Sequence, residues 1–162
     1  RLKLTQEFTD LIEIRQYLPP MLCPPNTVTN NYESGYLTFN ACQVLGKDNG
    51  HSGNICLDVI NTQNQVPLTL NTEFLSTVEE RPTHDLDTAE KQKLWTTFKR
   101  QSYHLYQLYA DETFYLTNQV DKRGRMYAAG YHITTQGTTF KKAMVELACR
   151  EVVEGVPTKH RR

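Results

Sequence analysis

The chain has 162 residues, 38% of them hydrophobic, and its 18 Lys and Arg residues balance 18 Asp and Glu. That length fits one domain or a piece of a larger one, and a formal charge of zero excludes a histone-like or polybasic protein that holds nucleic acid by bulk charge. No apolar run approaches the roughly 18 residues of a membrane span, and no basic-then-apolar leader opens the sequence. Four scattered cysteines (Cys23, Cys42, Cys56, Cys149) are too few for a disulfide-stapled secreted domain. A soluble intracellular protein with buried, unreactive thiols is expected. The first residue is Arg1 rather than Met, so an N-terminal portion is expected to have been removed or left out.

In chain order, the apolar spacing of Phe8, Leu11, Ile12 and Ile14 predicts a helix over 4–18, closed by Pro19 and Pro20. A second pair, Pro24 and Pro25, makes the next stretch rigid and extended. Residues 26–54 are rich in Asn, Gly, Ser and Thr and read as turns, with one short strand at 35–39. Residues 55–80 are again largely helical in period, and Pro67 should kink or split that helix. A loop at 81–87 leads to Asp87, which with Glu90 three residues on forms a capping-box-like start. The helix that follows, 88–110, carries Leu94, Phe98, Leu105 and Leu108 on one stripe and would run roughly 35 Å. Strands are predicted at 113–118 and 126–134, a turn at Gln136 and Gly137, and a last helix at 139–153 with Phe140, Ala143, Met144, Leu147 and Ala148 inward. The tail after Gly155 shows no core-forming pattern, and the expected class is α+β, mostly helical.

Charge is uneven along this framework. Five acids between Glu79 and Glu90 precede four bases at Lys91, Lys93, Lys99 and Arg100. Five more bases, Lys122, Arg123, Arg125, Lys141 and Lys142, then stand against Asp121 alone. Screening confines electrostatics to about 8–10 Å, so local basic stretches can hold phosphates on a neutral chain. The plain alternative is a solvated helix face and a charged loop.

Other chemistry is thinly represented. No Cys-x-x-Cys or His-x-x-x-His pair offers zinc spacing, and His51, His84, His104, His132 and His160 are dispersed. No Gly-rich phosphate loop precedes a helix, and Gly46, Gly50 and Gly53 fall in a polar turn region. The sharp segment is Asp121-Lys122-Arg123-Gly124-Arg125-Met126-Tyr127. Its glycine permits a positive φ or close backbone approach. Its arginines offer forked donors for phosphate or sugar, and Tyr127 offers a flat face with a hydroxyl. A charged hairpin with a structural Asp–Arg pair is the equal alternative.

That segment resembles the Asp-x-x-Gly-Arg-x-Tyr motif of the single-subunit DNA-dependent RNA polymerases of T-odd bacteriophages and mitochondria. Gln136-Gly137 resembles the family's Pro-Gln-Gly turn, and Lys141 follows as the family's lysine does. Upstream and in the same order, Pro20-Met21-Leu22-Cys23-Pro24-Pro25 resembles its Pro-Met-x-x-Pro-Pro segment, and Ser34-Gly35-Tyr36-Leu37 its Gly-Gly-Tyr. Ile60-Asn61 through Leu70-Asn71 and Leu75 resembles its Ile-Asn … Ile-Asn-x-x-x-Leu helix. The likeness spans about residues 17–153. It departs at Asn26-Thr27-Val28, where a Trp is expected, at Pro67, and in a shorter stretch before the Asp-x-x-Gly-Arg motif that implies a trimmed thumb.

The resemblance implies a polymerase divided between two polypeptides, or a fragment of one, and a natural phage subunit is the favoured expectation. Residues 1–54 would end an N-terminal region and link into the core, 55–112 would be thumb helices, and 113–162 would begin the palm with a short antiparallel strand pair. No catalytic residue and no metal ligand is expected here. A companion subunit would carry the fingers, the remaining palm and the Mg2+ ions. Arg123 and Arg125 would touch backbone phosphates or sugars of the RNA–DNA hybrid, Gly124 would allow close approach, and Tyr127 would reach the minor-groove side. Asp121 would orient the loop. Gln136 and Lys141 would add template or hybrid contacts, and Lys91, Lys93, Lys99 and Arg100 would grip the duplex from the thumb helix. The implied setting is a phage enzyme, working with DNA template, nascent RNA and an optional single-strand-binding or promoter-loading factor in the cytoplasm of an infected bacterium. The isolated chain would expose apolar helix faces that its companion covers. A non-enzymatic phage nucleic-acid-binding module is the alternative.

Overall fold

The computed structural model describes residues 3–14, 17–38, 40–47, 51–152 and 155. Among them run α1 (Gln6–Ile14), β1 (Val44–Leu45), α2 (Leu57–Asn64), β2 (Leu68–Leu70), α3 (Thr72–Thr77), α4 (Ala89–Tyr109), β3 (Asn118–Asp121), β4 (Met126–Ala128), α5 (Thr139–Ala143) and β5 (Val145–Leu147). The class is α+β. One sheet has the order β1-β3-β4 and a second pairs β2 with β5. β3 and β4 form the expected antiparallel hairpin, with Val120 opposite Met126. β1 joins its other edge in parallel, with Val44 opposite Val120.

Several predicted elements differ, each for a local reason. The strand expected at 35–39 is a series of bends over its described residues, and the strand of that region is β1. Gly35 lies too close to other chain for a strand neighbour: a Cβ there would stand 2.8 Å from Pro25 Cβ and 3.0 Å from Thr117 Cγ2. The helix expected over 55–80 becomes α2, β2 and α3. Pro67 has no N–H to continue α2, and beyond it Leu68 and Leu70 alternate inward around Thr69 as a strand. The strand expected at 113–118 consists of single bridges at Phe114 and Tyr115, with the ladder beginning at Asn118. The strand expected at 126–134 stops at Ala128. The last helix ends at Ala143, because Val145–Leu147 pairs with β2 instead. Val153 and His160 lie outside the described residues.

α4 forms where predicted, but its cap and its inner face differ. Thr88, not Asp87, is the N-cap and accepts from the Lys91 amide, while the Asp87 carboxylate accepts from Lys91 Nζ at 2.6 Å. Leu94 and Leu108 are 64% and 56% exposed, and the buried residues are Gln101, Ser102, Leu105 and Tyr109. α1 keeps only Ile14 of its expected apolar face buried. Its Asp10 is buried against Arg100 of α4, and Glu13 accepts from Gln101 at 3.0 Å, whereas Phe8 and Ile12 face outward. Two charged or polar contacts thus decide which side of α1 meets α4. In the last segment Met144 is fully buried, but Ala143 and Leu147 are exposed. The cysteines are not buried either: Cys23 and Cys149 are exposed, and Cys42 and Cys56 are partly so.

The core gathers Ile14, Leu68, Leu70, Leu105, Tyr109, Phe114, Leu116, Ile133 and Met144. Burying one such large side chain contributes roughly 1.5–3 kcal/mol. Around it, amide side chains hold the turn-rich segment by bonding its backbone. Asn61 brackets Val28, accepting from its N–H at 2.8 Å and donating to its carbonyl at 2.9 Å. Asn31 donates to the Gly53 carbonyl at 2.8 Å, and Gln65 to the Pro25 carbonyl at 3.0 Å. No described helix is long and apolar enough to cross a membrane.

The Gly35→Ala variant is expected to lose roughly 1–3 kcal/mol of stability, since its Cβ must displace Pro25 and Thr117 from a close-packed junction. Urea denaturation followed by circular dichroism measures the loss.

Candidate nucleic-acid interface

The segment 121–127 is a tight hairpin tip built on one carboxylate. The turn closes with the Gly124 amide donating to the Asp121 carbonyl and the Asp121 amide donating to the Arg125 carbonyl, each at 2.9 Å. Gly124 takes φ 76, the left-handed conformation that glycine adopts without strain. This leaves Lys122, Arg123 and Gly124 as the loop, a common three-residue hairpin with a left-handed third position. Asp121 Oδ1 then accepts the amides of Arg123 and Arg125 at 2.9 and 3.0 Å. Its Oδ2 accepts Arg125 Nε at 2.8 Å, Arg123 Nη2 at 3.2 Å and the Tyr127 hydroxyl at 3.3 Å. The Arg125 backbone amide, then its guanidinium, hold the Asp121 carboxyl below the ordinary carboxylate range.

One carboxylate thus orients two guanidinium groups whose side chains remain 71% and 56% exposed, at Arg123 and Arg125. The guanidinium of Arg125 also stands 6.0 Å over the Tyr127 ring. Lys47, just past β1, and Lys122 join the arginines along a shallow groove of about 370 Å³. Four cations against Asp121 give this groove a net positive character suited to a phosphate backbone. Lys47 was not legible as a site residue, because only the parallel pairing of β1 with β3 brings it there.

The remaining expected contacts are dispersed. Gln136 is committed to β4: its Oε1 accepts from the Ala128 amide and its Nε2 donates to the Met126 carbonyl, both at 3.0 Å. It acts as a short extra strand that steadies the hairpin's second arm. Lys141 donates to the Tyr131 carbonyl at 2.5 Å and lies over the rings of Tyr131 and Phe98. On α4, Lys91 pairs with Asp87, Lys99 with Glu79 and Arg100 with Asp10, while Lys93 is exposed. At about 3.6 residues per turn, Lys93 and Arg100 share one side of the helix and Lys91 lies opposite. The four do not form a single basic stripe.

Sequence reasoning missed an aromatic cluster beside Lys141. His132 is 2% exposed and stacks on Phe98 at 5.3 Å, with Tyr17 and Tyr131 edge-on. Burial first, and the nearby Lys141 charge second, push its pKa down to about 4. Trp95 stacks on Phe98 one turn earlier. The i, i+3 spacing of Trp95 and Phe98 was readable on α4, but their partners on 131–132 lie far along the chain.

No protein-family model matches the sequence. The chain is similar to a probable DNA-directed RNA polymerase of Gelasinospora sp. (strain G114), with 27% identity over 139 residues. The similarity covers 79% of this chain and 17% of that protein, so the chain corresponds to a small part of the relative's length. This supports a relationship to DNA-directed RNA polymerases.

Asp121→Ala removes the acceptor shared by the loop amides, and amide hydrogen exchange at Arg123 and Arg125 is expected to accelerate while that of Ile60, at the buried face of α2, does not change. NMR exchange rates check this. His132 gives a pH signature. Its folded pKa lies below the usual 6.5, so the unfolded chain binds the extra proton first as pH falls. Stability is complete above about pH 6.5, falls below it, and is about 3 kcal/mol lower once pH passes about 4. Glu80, whose carboxyl is raised by burial, opposes this trend. The difference in urea midpoints between wild type and His132→Leu, measured from pH 7 to 4, isolates the histidine.

Proposed function

We propose that this chain is a subunit of a DNA-directed RNA polymerase and supplies contacts to the template and the RNA–DNA hybrid during nucleotidyl transfer. The observation that carries this reading is the Asp121-centred hairpin, which presents Arg123 and Arg125 from a rigid glycine-containing turn. The polymerase relative adds to it. Both arginines act on phosphate or sugar and position the duplex without reading its sequence. Asp121 keeps the guanidinium groups oriented before the nucleic acid arrives, which lowers the ordering cost of each contact. Tyr127, braced against the same carboxylate, offers its ring and hydroxyl to the groove of an A-form-like hybrid. Gln136 steadies β4, and Lys93 and Lys47 add exposed positive charge.

Nucleotidyl transfer uses metal ions held by carboxylates. Among the described residues, no group of three or more His, Cys, Asp and Glu side chains is placed to hold an ion. These residues do not fit a metal centre, and no step through Mg2+ is assigned to them. In this reading the metal-holding carboxylates, the fingers and the rest of the palm belong to a companion subunit.

The test is primed RNA extension on a DNA template with Mg2+, comparing this chain, its companion and the mixture. Extension only in the mixture is expected. Arg125→Ala should then lower extension at least about tenfold, with subunit assembly intact by gel filtration and a flatter salt dependence of template binding. Normal extension by that variant would remove the hairpin from the reading. An inactive mixture together with stable nucleic-acid binding by this chain alone would replace it with a non-enzymatic binding module.

A further inference from the structure

Asp121 ends the central strand of the β1-β3-β4 sheet, so cations can approach it from both sides. The β4 side supplies Arg125 and Tyr127. The β1 side supplies Lys47. Because β1 and β3 run parallel, both leave the sheet at the same end, and Lys47 emerges beside the hairpin tip. Its position is fixed by the backbone. Leu45 pairs with Asp121, the Val120 amide donates to the Gln43 carbonyl at 2.9 Å, and Gln119 Nε2 donates to the Cys42 carbonyl at 2.7 Å. Gly46 follows β1 with φ 115, a conformation that glycine takes without strain. A Cβ at Gly46 would meet nothing within 4 Å, so the turn itself requires the glycine and no close neighbour does.

That turn makes Lys47 a wall of the hairpin groove, together with Leu45. Lys122 Nζ donates to the Lys47 carbonyl at 3.4 Å, a contact from hairpin to turn. Lys47 is exposed, and among the described residues no carboxylate pairs with its ammonium. Lys91, Lys99 and Arg100 each face a carboxylate, and the two loop arginines share Asp121. The attraction of Lys47 for an anion is therefore not offset by a competing partner. The groove's positive charge lies on both sides of one acid. A free phosphate concentrates its charge at one point and meets one side. A nucleic-acid backbone carries a charge at every nucleotide and engages both sides at once.

We propose that Lys47 is a phosphate-binding residue of this groove: it holds the backbone of a bound nucleic acid on the β1 side while Arg123 and Arg125 hold it on the hairpin side, and Gly46 positions it. The inference rests on the hairpin's role in nucleic-acid contact and adds a second wall that the Asp-x-x-Gly-Arg-x-Tyr segment does not contain. The ammonium is a compact point charge, so the contact adds affinity without reading sequence.

The full chain is titrated against a short fluorescently labelled RNA–DNA hybrid, with anisotropy read at several NaCl concentrations. Lys47→Met should weaken binding about threefold or more and lower the slope of log K against log salt by about one. Lys47→Arg should restore both. Gly46→Ala removes no charge yet should weaken binding about twofold, since a side chain is strained at that φ and Lys47 is displaced. Lys142→Met removes an exposed charge outside the groove and should leave the slope unchanged. Circular dichroism melts confirm that each variant is folded. An unchanged slope in Lys47→Met, or an equal loss in Lys142→Met, overturns the proposal, and the hairpin reading still stands if Arg125→Ala weakens binding. ATP binding that falls in the same proportion in Lys47→Met would assign a free-nucleotide site and overturn the backbone contact. A wild-type chain that does not bind the hybrid, or an Arg125→Ala variant that binds it fully, removes the hairpin reading and Lys47 together.

Discussion

Residues 114–121 must have their buried backbone satisfied on both sides, and most of the fold follows from how that is done. Phe114 exchanges both backbone hydrogen bonds with Leu68, each at 2.8 Å, and Tyr115 does the same with Met21 at 2.8 and 2.9 Å. Three residues on, the Asn118 amide donates to Asn64 Oδ1 at 2.8 Å, tying the segment to the end of α2. From there β3 takes β1 on one edge and β4 on the other. Phe114, Leu116 and Val120 point inward along it. One stretch of chain therefore joins the proline-rich segment, both sheets and α2, and it ends at Asp121, the residue that organises the hairpin.

That connection explains why an exposed loop can hold a defined shape. The two arginines at the tip are mobile side chains in themselves, but Asp121 stands at the end of a paired strand and bonds the loop amides as well as the guanidinium groups. The α4 cations have the opposite arrangement. Lys99 and Arg100 face carboxylates from elsewhere in the chain, Glu79 and Asp10, and these pairs link the segment after α3 and α1 to the helix, while Lys91 pairs with Asp87 just before its own helix. The same residue type serves the fold on α4 and stays available for a ligand on the hairpin. For Lys99 and Arg100 the difference is that the carboxylate draws the side chain across to another segment, whereas Asp121 orients the arginines from within their own turn.

The α4 helix, the β3–β4 hairpin and the left-handed glycine between them were legible, because each depends on neighbours within a few residues: a helical period, a turn that needs glycine. Three departures show what was not. Residues 145–147 have helical spacing yet form a strand, because β2 offers them an edge from far upstream. Phe8 and Ile12 look like the inner face of α1, yet the covered side holds Asp10, paired with Arg100, together with Ile14. Lys141 reads as one more cation near the motif, yet it sits among rings contributed by α4 and by residues 17 and 131.

The sequence by itself determined the α+β class, the long helix, the Asp-x-x-Gly-Arg-x-Tyr hairpin and the likeness to RNA polymerases, since all are written in local spacing and in the order of short motifs. The tertiary structure alone decided which cations remain exposed, which face of α1 is covered, and that Lys47 joins Arg123 and Arg125 in one groove. Those outcomes are contacts between residues tens of positions apart. Burial and charge pairing settle them only when the whole chain competes for the same partners, and no local pattern carries that information.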